Sequence, residues 1–190
     1  MECDKSNYIV WIDTELTGLN IEKDTILEIA CLISDQNLNI VSEEFNVVIK
    51  QSDTILNNMD DWNTIHHTKT GLIQASKASK ISLRNAEQML LSFLQKYIPK
   101  NSCPLAGNTI YMDRLFILKH MSLVNDYLHY RIIDVSTVQE LVRRWNPTDY
   151  KFRPQKQYNH RALDDIKESI QELKYYKNTI FMPADTSLIQ

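Results

Sequence analysis

The chain has 190 residues, 43% hydrophobic and 24% charged, with a formal net charge of −3. Those figures suit a single soluble domain and, with only three glycines and five prolines, exclude a low-complexity or collagen-like chain. The three cysteines, Cys3, Cys31 and Cys103, are an odd number without close spacing. They argue against a disulfide framework or zinc knuckle and for a reducing compartment. No apolar run approaches the roughly 20 residues of a membrane span. The start MECDKSN lacks the marks of a signal or transit peptide, so the expectation is a cytoplasmic protein with no membrane contact.

Charge is unevenly spread. Residues 1–61 carry 13 acids against 3 bases, whereas 62–142 and 143–177 each carry 5 acids against 9 bases. This either serves solubility or sets an acidic element that needs a cation beside basic segments that could hold an anion. A protein that grips long nucleic acid is usually more basic; a small anionic substrate stays compatible.

In chain order, YIVWID (8–13) reads as a buried strand, residues 25–35 as a second and part of 40–50 as a third. Residues 72–78 read as a short helix. Apolar residues at Met89, Leu90, Phe93, Leu94, Tyr97 and Ile98 mark a helix over 85–98, stopped by Pro99. A short strand at 104–106 precedes a helix over 112–121. A strand at 131–134 precedes a helix over 135–145, and Leu163, Ile166, Ile170 and Leu173 open a last long helix. Three strands followed by alternating helix and strand predict a mixed sheet with helices packed on it. One domain is expected over 1–183, with 184–190 as a fraying tail.

Three acidic clusters carry the chemistry. Asp13 and Glu15 in WIDTELTGL (11–19) point the same way from a strand end. Two such carboxylates repel unless a cation sits between them, and hard divalent ions prefer oxygen ligands. In HRALDDI (160–166), Asp165 is flanked by small residues and is either a ligand or a helix-capping charge; Asp164 reads as a cap. His160 falls just before that helix and has the chemistry of a general base. Asp113 in LAGNTIYMDRLF (105–116) lies on the first turn of a helix.

In chain order, two carboxylates on the first strand, one on a middle helix and a His-x-x-x-x-Asp at the last helix, the three clusters resemble those of the oligoribonucleases, 3′→5′ exoribonucleases of the DEDDh group. The resemblance extends over about residues 8–183, through MDDWN, AGN, YMDRLF, HYRIIDVSTVQEL and HRALDDIKESIQELKYYK. It implies a ribonuclease H-like α/β fold with a five-stranded mixed sheet flanked by helices. It implies hydrolysis of very short oligoribonucleotides to nucleoside 5′-monophosphates with two Mg²⁺ or Mn²⁺ ions. Asp13, Glu15, Asp113 and Asp165 would hold the ions and His160 would take the proton from water.

The resemblance further implies a homodimer with active sites completed across the interface. Leu16 resembles a wedge between two bases. Trp62 resembles an aromatic near the metal pocket, or is a core tryptophan. Tyr130 and Arg131 resemble residues that reach in from a partner to stack on a base and hold a 5′-phosphate. Thr109, Ser136 and His67 resemble the rest of that phosphate cap, with His66 read as surface. Tyr111–Met112 departs from the family pattern, and Tyr111 either crowds the site or packs outside it. The rival readings are another DEDDh exonuclease acting on DNA or longer RNA, and an inactive nucleic-acid-binding module on the same fold.

Overall fold

The computed structural model describes residues 5–156 and 161–181. Five strands, β1 (Ile9–Leu16), β2 (Ile26–Ser34), β3 (Phe45–Val48), β4 (Leu105–Gly107) and β5 (Ile132–Asp134), form one sheet in the order β3-β2-β1-β4-β5. The three N-terminal strands pair antiparallel, and β4 and β5 add in parallel. The mixed five-stranded sheet expected from the sequence is therefore present. The helices among the described residues are α1 (Asp53–Asn57), α2 (Asp61–Lys69), α3 (Leu72–Ala78), α4 (Leu83–Tyr97), α5 (Ile110–His120), α6 (Ser122–Tyr127), α7 (Val135–Trp145), α8 (Pro147–Lys151) and α9 (Ala162–Thr179).

The sheet is covered on both faces. Every residue of β2 is buried, which is why it reads as a near-continuous apolar run rather than an alternating one. Val10 and Ile12 face Leu90, Phe93, Phe116 and Ile117 of α4 and α5. Trp11, Leu32 and Ala106 face Val142 of α7 and Ile166 and Ile170 of α9. A smaller cluster of Leu27, Leu56, Met59 and Leu72 seats α1 and α3. Trp11 is fully buried, and its indole N–H donates to the Ser34 hydroxyl at 2.9 Å. Truncating such an aromatic costs about 3–5 kcal/mol, so Trp11 fixes the strand immediately before the acids.

Helix boundaries follow local chemistry. The Ser82 side chain accepts from the backbone N–H of Asn85 at the start of α4, and Asp134 does the same for Ser136 at the start of α7, as N-caps do. Ile98 is extended because Pro99 follows it. Gly18 lies where the chain turns out of β1, and a Cβ there would strike the Asp24 carboxylate, so a larger residue would displace the side chain that closes the turn. Asp24 accepts hydrogen bonds from the Thr17 hydroxyl and the Asn20 N–H, both at 2.9 Å, which closes the turn.

The parallel half positions the site. β1, β4 and β5 point the same way, and each hands the chain to a loop or helix at the same edge of the sheet. The register of β1 on β2 also shifts between Glu15 and Leu16. Such irregularities re-aim side chains where strands meet functional sites.

Candidate active site

Asp13 and Glu15 alternate with Ile12 and Thr14 along β1, so both carboxylates stand on the face that α9 covers. Asp165, on the first turn of α9, meets them there. Ligand oxygens of Asp13, Glu15 and Asp165 all lie within 4.8 Å of one another. Asp113 reaches the same strand from the N-terminal turn of α5. Its Oδ1 accepts from the Thr14 N–H at 2.9 Å and the Thr14 hydroxyl at 2.6 Å. The structure thus brings all four predicted acids to the end of β1, three with ligand oxygens within 4.8 Å of one another and the fourth hydrogen-bonded to the strand between the first two. His160 and residues 184–190 lie outside the described residues.

Crowded, half-buried carboxylates resist ionisation. Burial, with Asp113, Asp165 and Glu15 nearby, holds Asp13 well above the usual carboxylate range. Burial and the charge of Asp165 push Glu15 up to about 8. Burial raises Asp113 to about 7 even though its bonds from Thr14 favour the charged form, and burial with Glu168 raises Asp165 to about 6. Lys156 pulls Asp13 and Asp165 the other way. A divalent cation would relieve this repulsion, and an all-oxygen donor set suits Mg²⁺ or Mn²⁺. The residues present therefore fit the divalent metal that the resemblance implies.

A polar network backs the cluster. The Lys156 ammonium donates to Asn108 Oδ1 at 2.8 Å and lies 3.7 Å from Glu172. Buried Glu172 also accepts from Gln139 at 3.0 Å and Tyr176 at 2.9 Å, while the Ser169 hydroxyl donates to Asn108 Oδ1. Glu28 on β2, beside Glu15, is bound by Arg161. This network is not legible in the sequence: most of its partners lie 33 to 133 residues apart, and no local spacing marks them.

The remaining predicted residues fall in three places. Thr109 and Ser136 meet, with hydroxyl oxygens 3.2 Å apart and the Thr109 N–H donating to Ser136 Oγ and Asp134 Oδ1, both at 3.0 Å. Thr109 holds a left-handed backbone, φ 53°, and those bonds sustain it. His67 does not join them. It is buried, its Nε2–H donates to the Leu16 carbonyl at 2.9 Å, and Nδ1 lies 3.9 Å from Glu15 Oε2. Leu16 itself is nearly buried in the core. Trp62 is 56% exposed, which excludes the core alternative, and its ring stacks on His66 at 3.9 Å. His66 is therefore a partner of Trp62 rather than plain surface. Tyr130 is 75% exposed, beside β5, with the Arg131 guanidinium 5.7 Å from its ring centre. Tyr111 is half exposed, in a shallow groove with Thr109, Ser136, Leu141 and Arg144, while Met112 packs inward.

The sheet order and the acids at the end of β1 define a ribonuclease H-like fold of the exonuclease kind. Residues 10–173 match the exonuclease family RNase_T. The oligoribonuclease of Mus musculus, named as mitochondrial, is 55% identical over 173 residues, covering 91% of this chain and 73% of its own. That of Shewanella sp. (strain MR-4) is 46% identical over 177 residues, covering 93% and 97%. The chain belongs to the oligoribonuclease family of DEDDh exonucleases. Among solved structures, E. coli exonuclease I bound to a dT13 oligonucleotide superposes with a TM-score of 0.71 at 16% identity. It covers 92% of this chain, which spans only 41% of that one, and it speaks to the fold alone.

Proposed function

We infer that the chain is a metal-dependent 3′→5′ exoribonuclease that shortens small oligoribonucleotides and releases nucleoside 5′-monophosphates. One observation carries the reading: the convergence of Asp13, Glu15 and Asp165 at the end of β1, in a chain of this family. Presence of all four acids argues against the inactive binding module, and identity to oligoribonucleases argues against a DNA or long-RNA enzyme.

Asp13, Glu15, Asp113 and Asp165 would hold two Mg²⁺ or Mn²⁺ ions. Bound there, such ions supply a lowered pKa for water and positive charge for the leaving oxygen. His160 is the proposed base. Thr14 keeps Asp113 turned toward β1, and His67 holds the Leu16 carbonyl beside Glu15; the Leu16 side chain packs in the core, so a wedge between bases would need it to turn outward. Trp62, held by His66, offers a stacking face. Thr109 and Ser136 are assigned to the phosphate end of the substrate. The domain is taken as 1–183 and the setting as cytoplasmic, in keeping with two free cysteines, Cys31 and Cys103. No helix among the described residues is long and apolar enough to cross a membrane.

The test uses 5′-labelled RNAs of two to seven nucleotides with Mg²⁺ or Mn²⁺. A ladder receding from the 3′ end to a labelled mononucleotide is expected, fastest for the shortest RNAs. Internal cuts, or no cleavage, would overturn the reading.

Tyr130 and Arg131 are exposed beside edge strand β5, and we assign them to the active site of a second copy. Arg131→Ala and Asp113→Ala should each be inactive on 5′-phosphorylated dinucleotides. After subunit exchange about half the dimers are mixed, each with one intact site and one doubly damaged site, so about a quarter of wild-type activity should return. No recovery after confirmed exchange, or a solution mass of 22.3 kDa, would rule the shared site out.

A further inference from the structure

Glu28 is wholly shielded from solvent. It pairs directly across from Glu15 in the β1–β2 ladder, so its carboxylate lies on the same face as Asp13 and Glu15. A buried carboxylate persists only when paired and hydrogen-bonded. Arg161 meets it as a two-pronged donor, Nη2 to Oε1 at 2.7 Å and Nε to Oε2 at 3.0 Å, and Asn46 adds a third donor at 3.1 Å. The bond to Glu28 raises the affinity of Arg161 for its proton.

Arg161 is also the residue that starts α9. Its carbonyl accepts from the backbone N–H groups of Asp164 at 2.9 Å and Asp165 at 3.1 Å. One residue therefore grips β2 with its side chain and builds, with its backbone, the turn that carries Asp165. Near Asp165 the helix is otherwise held by apolar contacts of Ala162, Ile166 and Ile170, and the polar contacts of Ser169 and Glu172 lie one to two turns further along. Apolar packing is non-directional, whereas a planar guanidinium fork fixes distance and angle.

We propose that the Glu28–Arg161 pair is the strut that sets Asp165 against Asp13 and Glu15, making both members positioning residues for metal binding and turnover. The need for such a strut is geometric: Mg²⁺ takes oxygen ligands at about 2.0–2.1 Å in a near-octahedral array. A small slide of α9 along the sheet would move Asp165 out of reach. The inference rests on the exonuclease reading for its turnover readout but not for its metal readout.

Arg161→Met alone leaves Glu28 buried and unpaired, so stability and activity fall together. The informative variant is Glu28→Gln/Arg161→Met, which removes both charges and should melt close to wild type. It should still bind Mn²⁺ about 10–100-fold more weakly, the usual cost of losing a group that orients a ligand. Turnover of a labelled diribonucleotide should fall by a similar factor, with KM changed far less. Arg161→Lys keeps the charge without the fork and should fall between the two. If the double variant does not fold, Arg161→Lys carries the test: a tenfold or greater loss of Mn²⁺ affinity supports the strut. Wild-type Mn²⁺ affinity and turnover in a folded variant would overturn it. A wild-type chain that binds Mn²⁺ but leaves the diribonucleotide whole would sink the exonuclease reading, and the Mn²⁺ titrations would still judge the strut.

Discussion

Asp13→Asn is expected to take diribonucleotide turnover below detection while the chain stays folded. Asp13 stands at the centre of the acidic group, facing Glu15, Asp113 and Asp165 at once, so its loss weakens every cation position that the four acids define. The same change should stabilise the metal-free protein. Glu15, Asp113 and Asp165 have folded-state values near 8, 7 and 6 against ordinary values of 4.5, 3.8 and 3.8. The folded chain thus holds more protons than the unfolded one between about pH 4 and 8, so that contribution is complete below the ordinary values and is lost as pH rises. In EDTA the melting temperature of the wild type should fall between pH 5 and 8. Asp13→Asn should flatten that fall and melt higher at pH 7.5, each kcal/mol of relieved repulsion being worth about 2–4 °C. Excess Mn²⁺ should reverse the order, raising the wild type by about 2.7 kcal/mol at a hundredfold of its Kd and the variant little. Equal melting curves with and without Mn²⁺, or wild-type cleavage by Asp13→Asn, would remove Asp13 from the site.

His160→Ala should lower kcat by a factor on the order of 10²–10⁴, the range for loss of a general base, and leave Mn²⁺ affinity near wild type. His160 directly precedes Arg161, whose carbonyl begins the turn that bears Asp165, so the chain delivers an imidazole and a carboxylate within six residues. The base works only when neutral, which gives the wild type a falling acidic limb in its pH–rate profile. Alanine should remove that limb's dependence on the imidazole and leave the contribution of the carboxylates. An unchanged rate and profile would exclude His160 as the base, whereas a large loss of Mn²⁺ affinity would make it a ligand.

Periodic, apolar segments are legible in the sequence. The helices expected over 72–78 and 135–145 are α3 and α7 with those bounds, and the strand expected over 25–35 is β2 to within a residue at each end. β1 runs on to Leu16, three residues past the expected end at Asp13, so both acids belong to its last pleats. α1, α6 and α8 are too short to display a period. α2 escapes a reading of the sequence because its inward residues are Asn63 and His67, polar side chains that carry no apolar stripe. The acids are legible because their residue types and order are distinctive. Glu28 with Arg161, and Glu172 with Lys156, are not, since a charge in a sequence does not reveal which distant residue pairs with it, 133 positions away for Glu28, or that the carboxylate is buried.

Those long separations have a consequence for how the chain comes into being. Thr14 meets Asp113 across 99 residues and Glu28 meets Arg161 across 133. Contacts of that span are the slowest to form, because the loop must be ordered before the contact rewards it. During synthesis the β1–β3 meander can pair as soon as it has emerged, while Asp165 is still many residues from being made. Hydrolytic competence is then among the last properties the polypeptide acquires, and a prematurely terminated fragment ending before Arg161 has a sheet without a working nuclease.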